Sequence, residues 1–74
     1  MEVKIYLFDG LLATLTFKSD GQAWYLASQS MHVGETPQIR KAIAIAVSSV
    51  TTDVFQPTGR QVLLNDVSYV ATPL

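Results

Sequence analysis

Residues 36–52, TPQIRKAIAIAVSSVTT, decide how the rest of the chain is interpreted. Thr36 followed by Pro37 is typical of a helix start, because the threonine hydroxyl caps free backbone N–H groups and proline suits the first helical position. Apolar residues then recur at the three- and four-residue spacing of one helix face. They are Ile39, Ala42, Ile43, Ala46, Val47 and Val50. The segment predicts an amphipathic helix of about four turns that ends at Thr51-Thr52, with Ile45 as an apolar residue on its otherwise polar side.

On the N-terminal side of this helix, residues 2–7 and 11–17 alternate between apolar and polar positions, which is typical of half-buried strands. A three-residue loop at Phe8-Asp9-Gly10 places all the odd-numbered residues on one face and gives Gly10 a positive φ. The register that follows pairs Leu7 with Leu11, Ile5 with Ala13, and Val3 with Leu15. We therefore predict a hairpin whose odd-numbered face packs against the helix.

The next turn contains Ser19-Asp20-Gly21 and allows two registers for the third strand. A three-residue loop, as in the first hairpin, places Trp24 and Leu26 on the second face of the sheet. A two-residue loop at Asp20-Gly21 sends Trp24 to the core face instead. We favour the three-residue loop, and the position of Trp24 depends on that choice.

On the C-terminal side of the helix, Val54-Phe55 is a candidate short strand, and residues 56–59 have the proline and glycine of a type I turn. Residues 61–64 and 67–71 predict a hairpin around Asn65-Asp66 that pairs Leu64 with Val67. The strand over 67–71 contains no lysine or proline, so we expect it to be an edge strand able to pair with a partner strand or a second copy.

Together these elements predict a single α+β domain over residues 1–74, with the order β-β-β-α-(β)-β-β. The chain has 74 residues, of which 49% are hydrophobic and 15% are charged, against about 25% charged in an average soluble domain. Part of the apolar content must therefore lie on the surface. We predict a small antiparallel sheet with the helix on one face and a partner-binding patch on the other, formed by Tyr6, Leu12, Trp24 and Leu26.

The residue types that carry out catalysis are absent or scattered along the chain. Cysteine is absent, and the single histidine, His32, has only Glu35 nearby as a carboxylate. The two side chains are a conceivable acid–base pair, but a solvated loop histidine is the simpler interpretation. Asp9, Asp20 and Asp66 lie in predicted turns, and no serine lies in a nucleophile motif. We therefore expect no enzymatic activity, cofactor, metal or disulfide.

These features predict a protein-binding module that is homodimeric and acts by occupying a partner protein's surface, as an inhibitor or antitoxin-like protein does. One alternative is a nucleic-acid-contacting accessory domain that uses Arg40, Lys41 and Arg60. Five Lys and Arg against six Asp and Glu argue against nucleic acid as the partner. Another alternative is a structural subunit of a phage or mobile-element assembly. The partner's identity and the dimer surface (sheet face, edge strand or helix) stay open.

The chain carries no segment typical of membrane insertion or secretion. The longest uncharged apolar run near the helix is too short to span a bilayer. Small secreted domains usually rely on disulfides, so the lack of cysteine favours a cytoplasmic protein.

Overall fold

The computed structural model describes residues 1–52 and 54–74. Within them the strands and the helix follow the order β1 (Glu2–Leu7), β2 (Gly10–Ser19), β3 (Trp24–Met31), α1 (Pro37–Thr51), β4 (Gln61–Leu64) and β5 (Val67–Thr72). The strands form one antiparallel sheet with the spatial order β3-β2-β1-β5-β4. This confirms the predicted α+β fold, with α1 connecting the two edge strands.

Helix α1 begins and packs as its sequence predicts. The Thr36 hydroxyl accepts a hydrogen bond from the Ile39 N–H at 3.2 Å, and Pro37 occupies the first turn. Ile39, Ala42, Ala46 and Val50 of the apolar stripe are buried against the sheet. The same side also buries a serine at position 49, which the apolar spacing does not indicate.

The core lies between α1 and one face of the sheet. Its strand residues are Val3, Ile5, Leu12, Ala13, Leu15, Phe17, Val67, Tyr69 and Ala71, all of them buried. Phe55 closes the core beyond the helix end, with its ring centroid 5.1 Å from that of Tyr69. The predicted strand at Val54-Phe55 is wrong, because the N–H groups of both residues donate to the Ser49 carbonyl and so tie this segment to the helix end.

The first hairpin follows the predicted register only in the part away from its loop. Val3 pairs with Leu15 and Ile5 with Ala13, but a bulge follows, and Leu7 pairs with Gly10. The loop is therefore two residues long, and Phe8, with φ of 54°, takes the left-handed conformation predicted for Gly10. A two-residue hairpin loop places a positive φ at its first position more readily than at a flanking strand residue.

Leu12 is the extra residue of this bulge. It lies between the Ile5–Ala13 and Tyr6–Leu11 pairs and has no partner on β1. Two consecutive residues of a bulge share one partner position, so the alternation of faces shifts by one residue here. As a result Leu12 is buried in the core cluster, and Leu11 lies beside Tyr6 on the other face.

The second hairpin corrects the predicted position of Trp24. Phe17 pairs with Leu26 and Ser19 with Trp24, so the loop spans residues 20–23 and neither considered register is formed. Phe17 faces the core, so Leu26 and Trp24 face it too, and both are partly buried against it. The Asp20 carboxylate holds the loop by accepting from the Gln22 and Ala23 N–H groups, which lowers the pKa of Asp20.

The C-terminal hairpin has the predicted register, with Leu64 paired to Val67. Asn65 and Asp66 both have positive φ, at 51° and 65°, as a type I′ turn requires. Strand β5 pairs with β4 on one side and β1 on the other, so the prediction that it is an edge strand is wrong. The edges are β3 and β4.

The segment before β4 also differs from its prediction. The Thr58 N–H donates to the Gln56 carbonyl at 2.7 Å, which forms a tight three-residue turn around Pro57 instead of a type I turn. Gly59 then adopts a positive φ of 76° and donates its N–H to the Ala71 carbonyl. This bond holds the chain beside β5 just before β4 begins.

Candidate binding surfaces

The face of the sheet opposite α1 is called the open face here. Residues paired across neighbouring strands point to the same side of a sheet, so the registers define its members. They are Glu2, Lys4, Tyr6, Leu11, Thr14, Thr16, Lys18, Tyr25, Ser28, Ser30, Gln61, Leu63, Ser68, Val70 and Thr72. None of these residues is buried. The described part of the chain thus packs one face of its sheet and leaves the other to solvent.

Apolar side chains on the open face gather at one end, around Tyr6. Tyr6 pairs with Leu11 on one side and with Ser68 on the other. Beside it lies a depression of about 350 Å³ lined by Tyr6, Phe8, Asp9, Gln61, Ser68 and Val70. We call it the Tyr6 depression.

An exposed aromatic side chain and a polar pair line this depression, and a second exposed apolar side chain lies on the neighbouring edge strand. Phe8, at the tip of the β1–β2 hairpin, is 89% exposed, and Leu63 on β4 is 63% exposed. The Gln61 side-chain amide donates to the Ser68 hydroxyl at 2.7 Å across the β4–β5 pair. The depression therefore combines an aromatic floor with hydrogen-bonding atoms on one wall.

Only one residue of the predicted partner-binding patch lies on the open face. Tyr6 does, whereas Leu12, Trp24 and Leu26 pack against the core. The bulge at Leu12 places that residue on the core face, and the four-residue loop over 20–23 does the same for Trp24 and Leu26. The sequence does indicate that Phe8 is exposed, since a large apolar residue in a hairpin loop has no core to pack against.

The polar end of the open face contains hydrogen bonds and an ion pair. The Lys4 ammonium lies 3.8 Å from the Glu2 carboxylate, and both groups are partly exposed. The His32 Nε2 lies 3.0 Å from the Thr14 hydroxyl. Glu35 instead contacts Arg40 at 3.9 Å, so the conceivable His32–Glu35 pair is not formed. Over residues 1–52 and 54–74, no three His, Asp or Glu side chains gather as a metal site would require.

The cations predicted for nucleic-acid contact are dispersed. Arg40 pairs with Glu35, and Lys41 lines a depression that also contains Asn65, in the turn after β4. Arg60 precedes β4 and so lies at the opposite end of that strand. The three side chains therefore do not share one positive surface of the kind that binds a phosphate backbone.

Among the described residues, the Tyr69 hydroxyl is the one buried side-chain polar group without a hydrogen-bond partner. The residue as a whole is 1% exposed. Burial disfavours the phenolate and raises the pKa of Tyr69. Tyr69 borders two depressions on the helix side, of about 180 and 250 Å³. Its hydroxyl oxygen is itself buried, so it is not a surface group.

No family model, no curated protein and no solved structure matches this chain. Across the residues described, no helix combines the length and apolar character needed to cross a membrane. The geometry of the surfaces is therefore what supports a functional proposal.

Proposed function

We propose that this protein is a non-enzymatic module that binds another protein through the open face. The observation that carries the proposal is the Tyr6 depression on the uncovered sheet face, which exposed Phe8 lines beside Tyr6. Exposed Leu63 lies on the same face, paired with the lining residue Ser68. Exposed apolar groups that cluster on a small domain usually mark an interaction site. Aromatic side chains also contribute strongly to binding energy at protein interfaces.

The chemistry of the depression defines the contact it suits. An apolar side chain of the partner fits against Tyr6 and Val70, and a polar group beside it bonds to Ser68 or Gln61. Binding of this kind acts by occupancy, because the module covers a surface that the partner needs for its own activity. An inhibitor or antitoxin-like role follows from that mode of action.

A capture experiment with matched variants tests the proposal. The tagged wild-type chain, a Tyr6→Ser/Phe8→Ser double variant and a Tyr25→Ser control are used to capture proteins from cells that make the protein. Tyr25 is 50% exposed and lies on the same face, on β3 and away from the Tyr6 depression. We expect one protein to be retained by the wild type and the control and lost by the double variant.

Two results would overturn the proposal. One is a captured protein that the double variant retains as well as the wild type does. The other is retained material that nuclease treatment or moderate salt removes, since a steep salt dependence is typical of phosphate contacts. Protection from hydrogen exchange of the Phe8 and Asp9 amides, which lie in the loop that lines the depression, gives a second, independent readout in the purified complex.

A further inference from the structure

Among the described residues nothing pairs with the outer backbone edge of β4, and the hairpin geometry shows which groups are free there. In a two-residue hairpin the residues flanking the loop form a hydrogen-bonded pair, and such pairs alternate along the ladder. Leu64 and Val62 therefore bond to β5, through Val67 and Tyr69. The N–H and C=O groups of Gln61 and Leu63 point away from β5, towards the free side of the sheet.

The side chains of β4 are apolar on both sides of this free edge. Leu63 projects from the open face and is 63% exposed, while Val62 and Leu64 are partly buried on the helix side. Beyond Leu64, partly buried Ile45 lines a depression next to the Asn65 turn. The strand itself carries no charge, proline or bulge.

The other edge, β3, is built differently. A register shift between Thr16 and Phe17 leaves Ala27 as a bulged residue on β3, and the strand continues with Ser28, Gln29 and Ser30. Bulges twist an edge away from further pairing, and natural proteins commonly protect their edges in this way. Strand β4 is short, with four residues, but it has no bulge, charge or proline that would block pairing.

We propose that two copies of this chain associate by antiparallel pairing of β4 with β4. With Val62 opposite Val62 of the second copy, each Gln61 lies opposite Leu63 of the other copy. Both of those residues carry free backbone groups, so about four backbone hydrogen bonds join the copies. The strand is uncharged, and antiparallel pairing brings Arg60 of one copy towards the turn that carries Asp66 of the other.

The two-fold axis of this pairing is perpendicular to the sheet, so both open faces lie on the same side of the dimer. Five strands at about 4.8 Å span roughly 20 Å and strands of this length run for about 20 Å, so one open face covers on the order of 400 Å². A standard protein interface buries about 800 Å² on each partner. Two joined faces reach that size, which favours a second copy over an unrelated strand at this edge; this choice of occupant rests on the proposed binding function of the open face.

Sedimentation velocity on the full chain, from about 1 μM to 1 mM, tests the pairing. A contact of a few residues is small, so we expect a weak, reversible dimer. Leu63→Lys adds a charge to the unprotected edge and should weaken association at least tenfold. Because Leu63 is exposed in the single chain, circular dichroism should show an unchanged fold. Gln29→Lys makes the same change on the β3 edge and should leave association unaltered.

Hydrogen exchange supplies a readout that does not depend on a variant. Exchange at the Gln61 and Leu63 amides should slow as the wild-type concentration rises, while the Val62 amide, already bonded to β5, should not change. A wild type that stays monomeric at 1 mM overturns the proposal, as does a dimer whose Gln61 and Leu63 amides exchange as fast as in the monomer. No partner protein enters these measurements, so their outcome is separate from that of the open-face proposal, and Tyr6→Ser/Phe8→Ser should still dimerise.

Discussion

The two faces of the sheet are built from the same strands yet differ in what covers them. On the helix side, Val3, Ile5, Leu15 and Phe17 are fully buried. On the open side their neighbours are charged, threonine or tyrosine side chains that stay partly exposed. One helix of 15 residues covers only one face of a sheet of this size.

This difference separates the residues that stabilise the fold from those available for binding. Burial of apolar area is the main source of folding free energy, and nearly all of it lies on the helix side. The open face is therefore free to carry exposed apolar groups such as Phe8 and Leu63 at little cost to folding. Substitutions on the two faces should have different consequences.

The largest effect is expected on the helix side, at Phe17. Its side chain is fully buried, so Phe17→Ala should lower the free energy of unfolding by about 3–5 kcal/mol. Tyr6→Ala on the open face is the matched substitution, and it should cost about 1 kcal/mol or less. Urea denaturation followed by circular dichroism measures both. Equal losses would contradict the separation of the two faces.

A smaller effect of the opposite sign is expected at Tyr69, the unsatisfied polar group of the buried face. Its hydroxyl loses water on folding and gains no hydrogen bond among the described residues. Tyr69→Phe should therefore leave stability unchanged or raise it by up to about 1 kcal/mol. The urea midpoint is the measurement, and Tyr69→Ala, which also removes the ring, should be strongly destabilised. A clear loss in Tyr69→Phe would show that the hydroxyl is satisfied in solution.

A stabilisation of similarly small size is expected at Phe8, at the border of the open face. Phe8 has φ of 54° and is 89% exposed, so its backbone is strained and its side chain contributes little packing. Phe8→Gly should stabilise the fold by about 0.5–1 kcal/mol, while Phe8→Ala keeps the strain and should not. Thermal unfolding compares the two variants. A destabilised Phe8→Gly would show that the aromatic ring is held by contacts in solution.

Elements that are determined by interactions between residues close in sequence could be predicted. The start of α1 at Thr36-Pro37 and the Asn65-Asp66 hairpin rest on local chemistry, and both were confirmed. Pairing of Val3 with Leu15 followed from alternation alone, because a buried face makes a one-residue slip costly.

The position of the binding surface could not be predicted, because alternation assumes an unbroken ladder. The bulge at Leu12 changes the face of that residue, and a loop of four residues instead of three changes the face of Trp24 and Leu26. Tertiary packing determines where a bulge forms, and the residues around Leu12 are equally compatible with a regular strand. The strand predicted at Val54-Phe55 is wrong for a related reason. Two consecutive apolar residues are typical of a strand whether or not another strand is available to pair with them.

The central position of β1 also has a consequence for how the chain folds. Strand β1 pairs on one side with β2, the next strand in sequence, and on the other with β5, near the far end of the chain. The meander of β1, β2 and β3 needs only short loops, whereas the β1–β5 pair closes a long one, which costs more chain entropy. We therefore expect docking of the β4–β5 hairpin to limit the folding rate. Until it docks, the β5-facing edge of β1 stays unpaired and is the part of the molecule most open to misassociation during synthesis.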